Sequence, residues 1–345
     1  ESIAWLLNVR GNDIKYTPLS ICFAIVSTIG KVDLFVDISK ITHVKKKLSK
    51  QVNFHSFDKI YRYINNISNE NNIGLDIIKT NYTLYKNCVD NNLKIKFIQD
   101  PCLYLKAQKN KIELMGAKNA NKRDGVSITK FLYWLKNHKN IDKIDEIKAA
   151  KYLYKLRKNN KLFYSLSFET ISAFGKHAAL PHYRLNLDSN ISFKSNQIYL
   201  VDSGAQYYDG TTDITRTIII GKATKEQKDR FTRVLKGHIA LATAEFKFNI
   251  KGSELDPLAR KSLQQIGCDY DHGTGHGIGS FLSVHEGPQR ITKRSNLVIK
   301  DNIKERMILS NEPGFYKKNQ YGIRIENLII AVKKNKSKLK FETIS

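Results

Sequence analysis

The chain has 345 residues, 58 Lys plus Arg against 32 Asp plus Glu for a formal net charge of +26, and 41% hydrophobic residues. That length and apolar content exclude a disordered chain and predict two domains. The excess charge is 45 scattered lysines against 13 arginines, beside 29 asparagines. This is the background of an AT-rich coding sequence rather than a basic patch set among stacking aromatics, and it argues against a nucleic-acid partner.

In chain order, the first hundred residues alternate short apolar runs with polar breaks. Ile3–Leu7, Cys22–Ile29 and Val32–Ile38 predict strands or short buried elements, Lys59–Ile67 a helix, and Ile73–Thr80 a strand or a second helix. The polar tract from Asn65 to Asn72 reads as a loop. No basic segment precedes Ile3–Leu7, as a secretory leader would require, and the opening on Glu1 reads as a piece of something longer. The uncharged run Tyr16 to Gly30 contains Pro18 and is too short for a membrane span, so no membrane partner is expected. Cys22, Cys88, Cys102 and Cys268 show no metal or redox spacing and read as free thiols in a reducing compartment.

After Pro101 the texture changes. Val126–Leu135 places Ile128, Phe131, Leu132 and Leu135 on one helical face, and Ile141–Leu156 repeats the pattern. Lys225–Phe246 and Pro257–Ile266 predict two more helices. The second takes Asp256 as N-cap, Pro257 as its first residue and Gly267 just past its end. Gln197–Val201, Asp213–Ile220, Met307–Ser310 and Tyr321–Val332 predict strands, and the mixture gives an α+β domain.

Three segments carry the chemistry. In DSGAQYYDGTTDITRT (202–217), Asp202 ends one strand and Asp213 opens the next, with Asp209-Gly210 as a turn. A carboxylate there either caps a turn or is paired with a cation. In HGTGHGIGSFLSVHEGP (272–288), alternating glycines exclude a helix and leave the backbone free to crowd a ligand beside His272, His276 and His285. The third holds Glu312 in NEPGFY (311–316), then Arg324 and Glu326 in YGIRIEN (321–327), two apart and so on one face of a strand. Asp202, Asp213, His276, Glu312 and Glu326 make an oxygen-rich donor set with one nitrogen. It suits two divalent ions, Mn²⁺ before Zn²⁺.

With these motifs, and with IAWLLNVRG (3–11), the sequence resembles the aminopeptidase P family, the Xaa-Pro aminopeptidases of the pita-bread fold, over nearly its whole length. The resemblance implies a non-catalytic α/β domain over 1–104, the middle domain of that architecture, and a pita-bread catalytic domain over 105–345. It implies two divalent metal ions, Mn²⁺ first with Zn²⁺ or Co²⁺ as alternatives, held by Asp202, Asp213, His276, Glu312 and Glu326. Asp213 and Glu326 would bridge, and Glu312 would also act as general base. His182 would position the substrate, with His177 as a competing histidine nearby. His272 would line the proline side, His285 would bond the developing oxyanion, and Arg324 would orient Asp202. The implied reaction releases the first residue from peptides with proline second. A homodimer and a cytoplasmic location are expected, or a digestive vacuole if the source is a protozoan parasite. The alternatives are a prolidase-like Xaa-Pro dipeptidase and a pita-bread binding module of the histone-chaperone type.

Overall fold

The computed structural model describes residues 1–48, 50–294 and 301–345. It divides into two compact units, Glu1–Lys106 and Ala107–Ser345. Among the described residues no helix is long and apolar enough to cross a membrane.

The first unit is α/β. A short helix, α1 (Ser2–Leu6), stands where the sequence suggested a strand or a short buried element, since five apolar residues carry no decisive periodicity. β1 (Cys22–Val26) pairs antiparallel with β2 (Val32–Val36), which pairs parallel with β3 (Val52–Ser56). β2 is the central strand and is buried on both faces. Val32, Leu34 and Val36 join one core cluster, and Phe35 joins another with Ile60, Ile64, Cys88 and Leu93. That second cluster is supplied by α2 (Ile60–Asn65) and α3 (Tyr82–Asp90). β4 (Asn72–Asp76) and β5 (Lys94–Ile98) form a parallel pair, which resolves Ile73–Thr80 as a strand. α4 (Cys102–Ala107) follows, and all four cysteines are free thiols.

The second unit is α+β, as its patterning predicts. α5 (Lys111–Lys136) is far longer than the expected Val126–Leu135. Asn110 starts it by accepting from the Ile112 and Glu113 backbones, while Glu113 accepts from Asn110 in return. α6 (Glu146–Lys158) begins only after Asp145, which caps it. Ile128, Phe131, Leu135, Ala149 and Leu153 form one cluster between the two helices.

Every named strand pair in this unit is antiparallel. β6 (Phe163–Leu166), β9 (Ala205–Tyr207) and β10 (Gly210–Thr211) form one sheet; β7 (Ile171–Phe174), β8 (Gln197–Ser203) and β11 (Ile214–Ile220) form another. α7 (Lys225–Ala242) stops before Phe246. That residue lies instead in β12 (Glu245–Lys247), where its ring packs 4.7 Å from Phe341. α8 (Gly252–Gln264) starts a turn earlier than expected, because Glu254 accepts from the Lys251 N–H. Pro257 therefore lies inside the helix. Asp256 is no cap; it binds Arg260 Nε and Thr274 Oγ1, both at 2.6 Å.

A six-stranded sheet completes the unit, in the order β12, β19 (Lys338–Thr343), β18 (Asn327–Lys333), β15 (Ile308–Asn311), β13 (Gly275–Gly277), β14 (Glu286–Ile291). β16 (Gly314–Lys317) and β17 (Tyr321–Arg324) form a separate hairpin. The expected strand Tyr321–Val332 is thus broken at Ile325-Glu326, between β17 and β18.

Candidate metal centre

The β8–β11 hairpin carries the two aspartates. Asp202 faces Thr215 in the register, Asp213 directly precedes β11, and the β9–β10 hairpin nests between them. Behind Asp202, the fully buried Arg157 holds the turn by donating to Ser203 O at 3.1 Å and to Ser203 Oγ, while its other bonds grip Asp124 at 2.8 Å. A buried guanidinium with a bidentate carboxylate is a rigid bracket.

β13 carries His276 between two glycines. A Cβ on Gly275 would lie 2.0 Å from Ser310 O, and one on Gly277 2.2 Å from Glu286 O. These glycines let neighbouring strands close in, and Gly273 and Gly275 also line the cavity, beside His272 and His276. The His276 N–H donates to Ser310 Oγ at 2.9 Å, and that hydroxyl donates to Glu312 Oε1 at 3.0 Å. His276 Nδ1 lies 3.1 Å from Gly277 O, a carbonyl that can only accept, so the proton sits on Nδ1. Nε2 is left facing Glu312 Oε1 at 3.2 Å and Asp213 Oδ2 at 3.6 Å. With Nδ1 committed to the carbonyl, Nε2 is the nitrogen that pairs with these carboxylates when protonated and that would ligate a cation once it gives up that proton.

Arg324 and Glu326 do not share a strand, yet they converge on the same hydroxyl. Arg324 Nε donates to Thr215 Oγ1 at 3.2 Å, and Thr215 Oγ1 donates to Glu326 Oε2 at 2.7 Å. Arg324 also donates to Asp202 Oδ2 and to the Tyr316 hydroxyl, both at 2.7 Å. Tyr316 in turn lies 2.8 Å from His272 Nε2. Ile323 and Ile325 join the apolar cluster on the other side, as the alternation predicts.

Thr215 and Tyr316 were missed in the sequence. The signal for the first is Thr215-x-Thr217, polar alternation inside an otherwise apolar strand, with both side chains buried. For the second it is only proximity to Glu312.

All nine residues singled out in the sequence line one cavity of about 410 Å³. Asp213, His276 and Glu326 each offer a ligand atom within 4.8 Å of the others. His285 is exposed, with its ring 4.4 Å from that of His276. His182 is exposed at the rim, whereas His177 turns to Glu146 at 2.9 Å and stacks on Tyr183. Larger hollows of about 820 and 950 Å³ lie elsewhere and contain none of these nine residues.

Electrostatics set this cavity apart. Burial, then the charge of their neighbours, pushes Asp213 and Glu326 well above the usual carboxylate range. Asp202 is raised by burial despite Arg324. Burial would also raise Glu312, but the hydrogen bond and charge of His276 outweigh it and hold Glu312 at about 2. The same contact holds His276 up at about 9 against its own desolvation. Asp202 Oδ1 is buried with no hydrogen-bond partner. Four crowded carboxylates, an imidazole with its Nε2 turned toward them and an orphaned buried oxygen fit divalent cations.

Residues 116–333 match metallopeptidase family M24, and residues 1–113 match the creatinase/prolidase N-terminal domain. The chain is 41% identical to Xaa-Pro aminopeptidase 1 of Dictyostelium discoideum, covering 96% of this chain and 53% of that protein. It is 38% identical to Xaa-Pro aminopeptidase app-1 of Caenorhabditis elegans, covering 95% and 54%. It thus spans about half the length of the curated relatives it matches. Among solved structures, the X-prolyl aminopeptidase of C. elegans superposes with a TM-score of 0.91 at 36% identity, covering 100% of this chain and 57% of that one. That protein is described as a cytosolic enzyme with a di-nuclear active site. Prolidase from Pyrococcus furiosus superposes with a TM-score of 0.77 at 25% identity, covering 94% and 89%. The chain belongs to metallopeptidase family M24 and has its pita-bread fold behind a creatinase/prolidase-type N-terminal domain.

Proposed function

We propose that this chain is the metal-dependent catalytic part of an aminopeptidase that hydrolyses the first peptide bond of substrates with proline second. The observation that carries the reading is the convergence of Asp202, Asp213, His276, Glu312 and Glu326 on one cavity that also holds His182, His272 and His285. The five would hold two divalent ions, Mn²⁺ first with Zn²⁺ or Co²⁺ as alternatives, and Asp213 and Glu326 would be shared between them. When bound, such ions polarise a carbonyl and acidify water.

The remaining work falls to side chains of this chain. Glu312 Oε1, held by Ser310, takes the proton released in the attack and passes it to the leaving proline nitrogen. His285 donates toward the carbonyl oxygen as it gains charge. Arg324 fixes the orientation of Asp202, and through Tyr316 the ring of His272, which flanks the proline side. His182 sits at the rim to position the peptide. Proline in second place lacks an N–H and restricts the residue before it, so the bond needs a pocket of its own. Residues 1–104 have no part in this chemistry. A homodimer and a cytoplasmic location complete the proposal.

The test is release of arginine from Arg-Pro-Pro by protein stripped with EDTA and reloaded with Mn²⁺, Zn²⁺ or Co²⁺. Glu312→Gln should abolish it with the fold retained. Protein that binds the ions and cleaves no Xaa-Pro bond refutes the reading. A prolidase-like dipeptidase is the second reading, since prolidase from Pyrococcus furiosus also superposes on this chain, with a TM-score of 0.77 at 25% identity. Faster cleavage of Arg-Pro than of Arg-Pro-Pro would select it.

A further inference from the structure

Behind the cavity, on the inward face of α7, His238 is 5% exposed and is not among the residues that line the site. Its Nδ1 lies 3.1 Å from Asn311 O, and its Nε2 lies 3.3 Å from Asn327 Nδ2. A carbonyl only accepts and an amide NH₂ only donates, so the ring is neutral, with its proton on Nδ1. Burial agrees with this, pushing the imidazole down to about 4. Asn311 Nδ2 returns a bond to His238 O at 2.9 Å.

The two asparagines are partners in the register at the ends of β15 and β18, and each is followed or preceded by a glutamate of the cluster. Asn311 precedes Glu312, and Asn327 follows Glu326. Arg216 closes the bracket on the far side. It donates to Asn327 Oδ1 at 2.9 Å, to Glu326 O at 2.7 Å and to Thr215 O at 2.9 Å. One donor and one acceptor on a rigid plane therefore tie both glutamate-bearing segments to α7.

We infer that His238 is a positioning residue for the metal centre: by anchoring the paired ends of β15 and β18 to α7 it fixes how the adjoining Glu312 and Glu326 carboxylates are presented, and so the affinity of the site for divalent cations. The inference rests on the proposed reading of those glutamates as ligands. A side chain that offers only shape leaves Asn311 O and Asn327 Nδ2 without this partner and loosens both strand ends from α7. Groups that support ligands in this way typically change metal affinity about 10- to 100-fold when removed.

Three substitutions in the full chain separate the contributions. His238→Phe keeps a ring and loses both bonds. His238→Asn places an amide near Nδ1 and keeps the Asn311 side, and His238→Gln reaches toward Nε2 and keeps the Asn327 side. Each EDTA-treated protein is titrated with Mn²⁺ by calorimetry, loaded with Co²⁺ for its visible spectrum, and melted by circular dichroism without metal. The expected result is a Mn²⁺ Kd raised about tenfold or more in His238→Phe, with an altered Co²⁺ spectrum, and smaller increases in the two amide variants. Wild-type Mn²⁺ affinity and an unchanged Co²⁺ spectrum in the folded variants overturn the inference, whatever their melting temperature. Should His238→Phe fail to fold, the Asn and Gln variants decide by the same criterion. Wild-type protein that takes up neither Mn²⁺ nor Co²⁺ overturns the metal-centre reading, and the inference with it.

Discussion

Glu312→Gln should change the stability of the metal-free protein in a way that depends on pH, and the sign follows from two groups. The Glu312 carboxyl falls from 4.5 to about 2 and the His276 imidazole rises from 6.5 to about 9. Each displacement corresponds to about 3 kcal/mol, and the two express one interaction, so it counts once. A lowered carboxyl stabilises the fold above its unfolded value of 4.5 and loses that contribution as pH falls toward 2. A raised imidazole stabilises fully below 6.5 and loses its contribution as pH rises through 9. The pair is therefore worth most between 4.5 and 6.5. The Glu312 charge also helps to push Asp213 and Glu326 up, so removing it relieves them wherever they are ionised. EDTA-treated Glu312→Gln should be less stable than wild type by about 3 kcal/mol near pH 5.5, with the deficit gone or reversed near pH 9.5. Urea unfolding followed by Trp134 fluorescence, in a Trp5→Phe background, reports on the second unit alone. A deficit that is independent of pH, or absent near pH 5.5, would refute the pairing of Glu312 with His276.

Other outcomes can be checked with the same protein. Tyr316→Phe removes the hydroxyl between Arg324 and His272 and should lower kcat for Arg-Pro-Pro about tenfold while leaving Mn²⁺ affinity within about twofold. Arg157→Met strands the buried Asp124 and should cost about 3–5 kcal/mol in urea unfolding, most of it recovered when Asp124→Leu is added. Gly275→Ala drives a Cβ to 2.0 Å from Ser310 O and should weaken both the fold and Mn²⁺ binding. Gly125→Ala, in α5 with nothing within 4 Å, should instead raise stability by about 0.5–1 kcal/mol.

Local patterning made the chemistry legible before the fold. Asp202 and Asp213 stood out because carboxylates at the ends of apolar strands need a partner, and His276 because glycines isolated it. Element boundaries were harder where tertiary contacts decide. The Phe246 pattern runs on from α7, yet its ring is buried against Phe341, residues away in β19. Pro257 looked like a helix start because a proline's natural place is the first turn, but the Glu254 bond at Lys251 began α8 earlier. Tyr316 gave no signal beyond its place beside Glu312, and His238 gave none, since a lone tyrosine or histidine looks like core until its partners are known. The spacing of Arg324 and Glu326 brought them together for the wrong reason. The strand breaks between them, and Thr215 rejoins them.

The order of strands in the six-stranded sheet has a consequence for biosynthesis. Asp202 and Asp213 meet on one local hairpin, and His276 follows, but Glu312 and Glu326 enter from strands that pair only near the end of the described chain. On the proposed reading of these residues, a nascent polypeptide stopped before β15 would display three of the five donors and neither glutamate. On that reading, loading would be a late event, after β18 has found β15. The cavity would then meet its ion already shaped, and the choice among competing cations would fall to folded geometry and to whichever metal the compartment supplies, rather than to the affinity ranking of loose side chains in water.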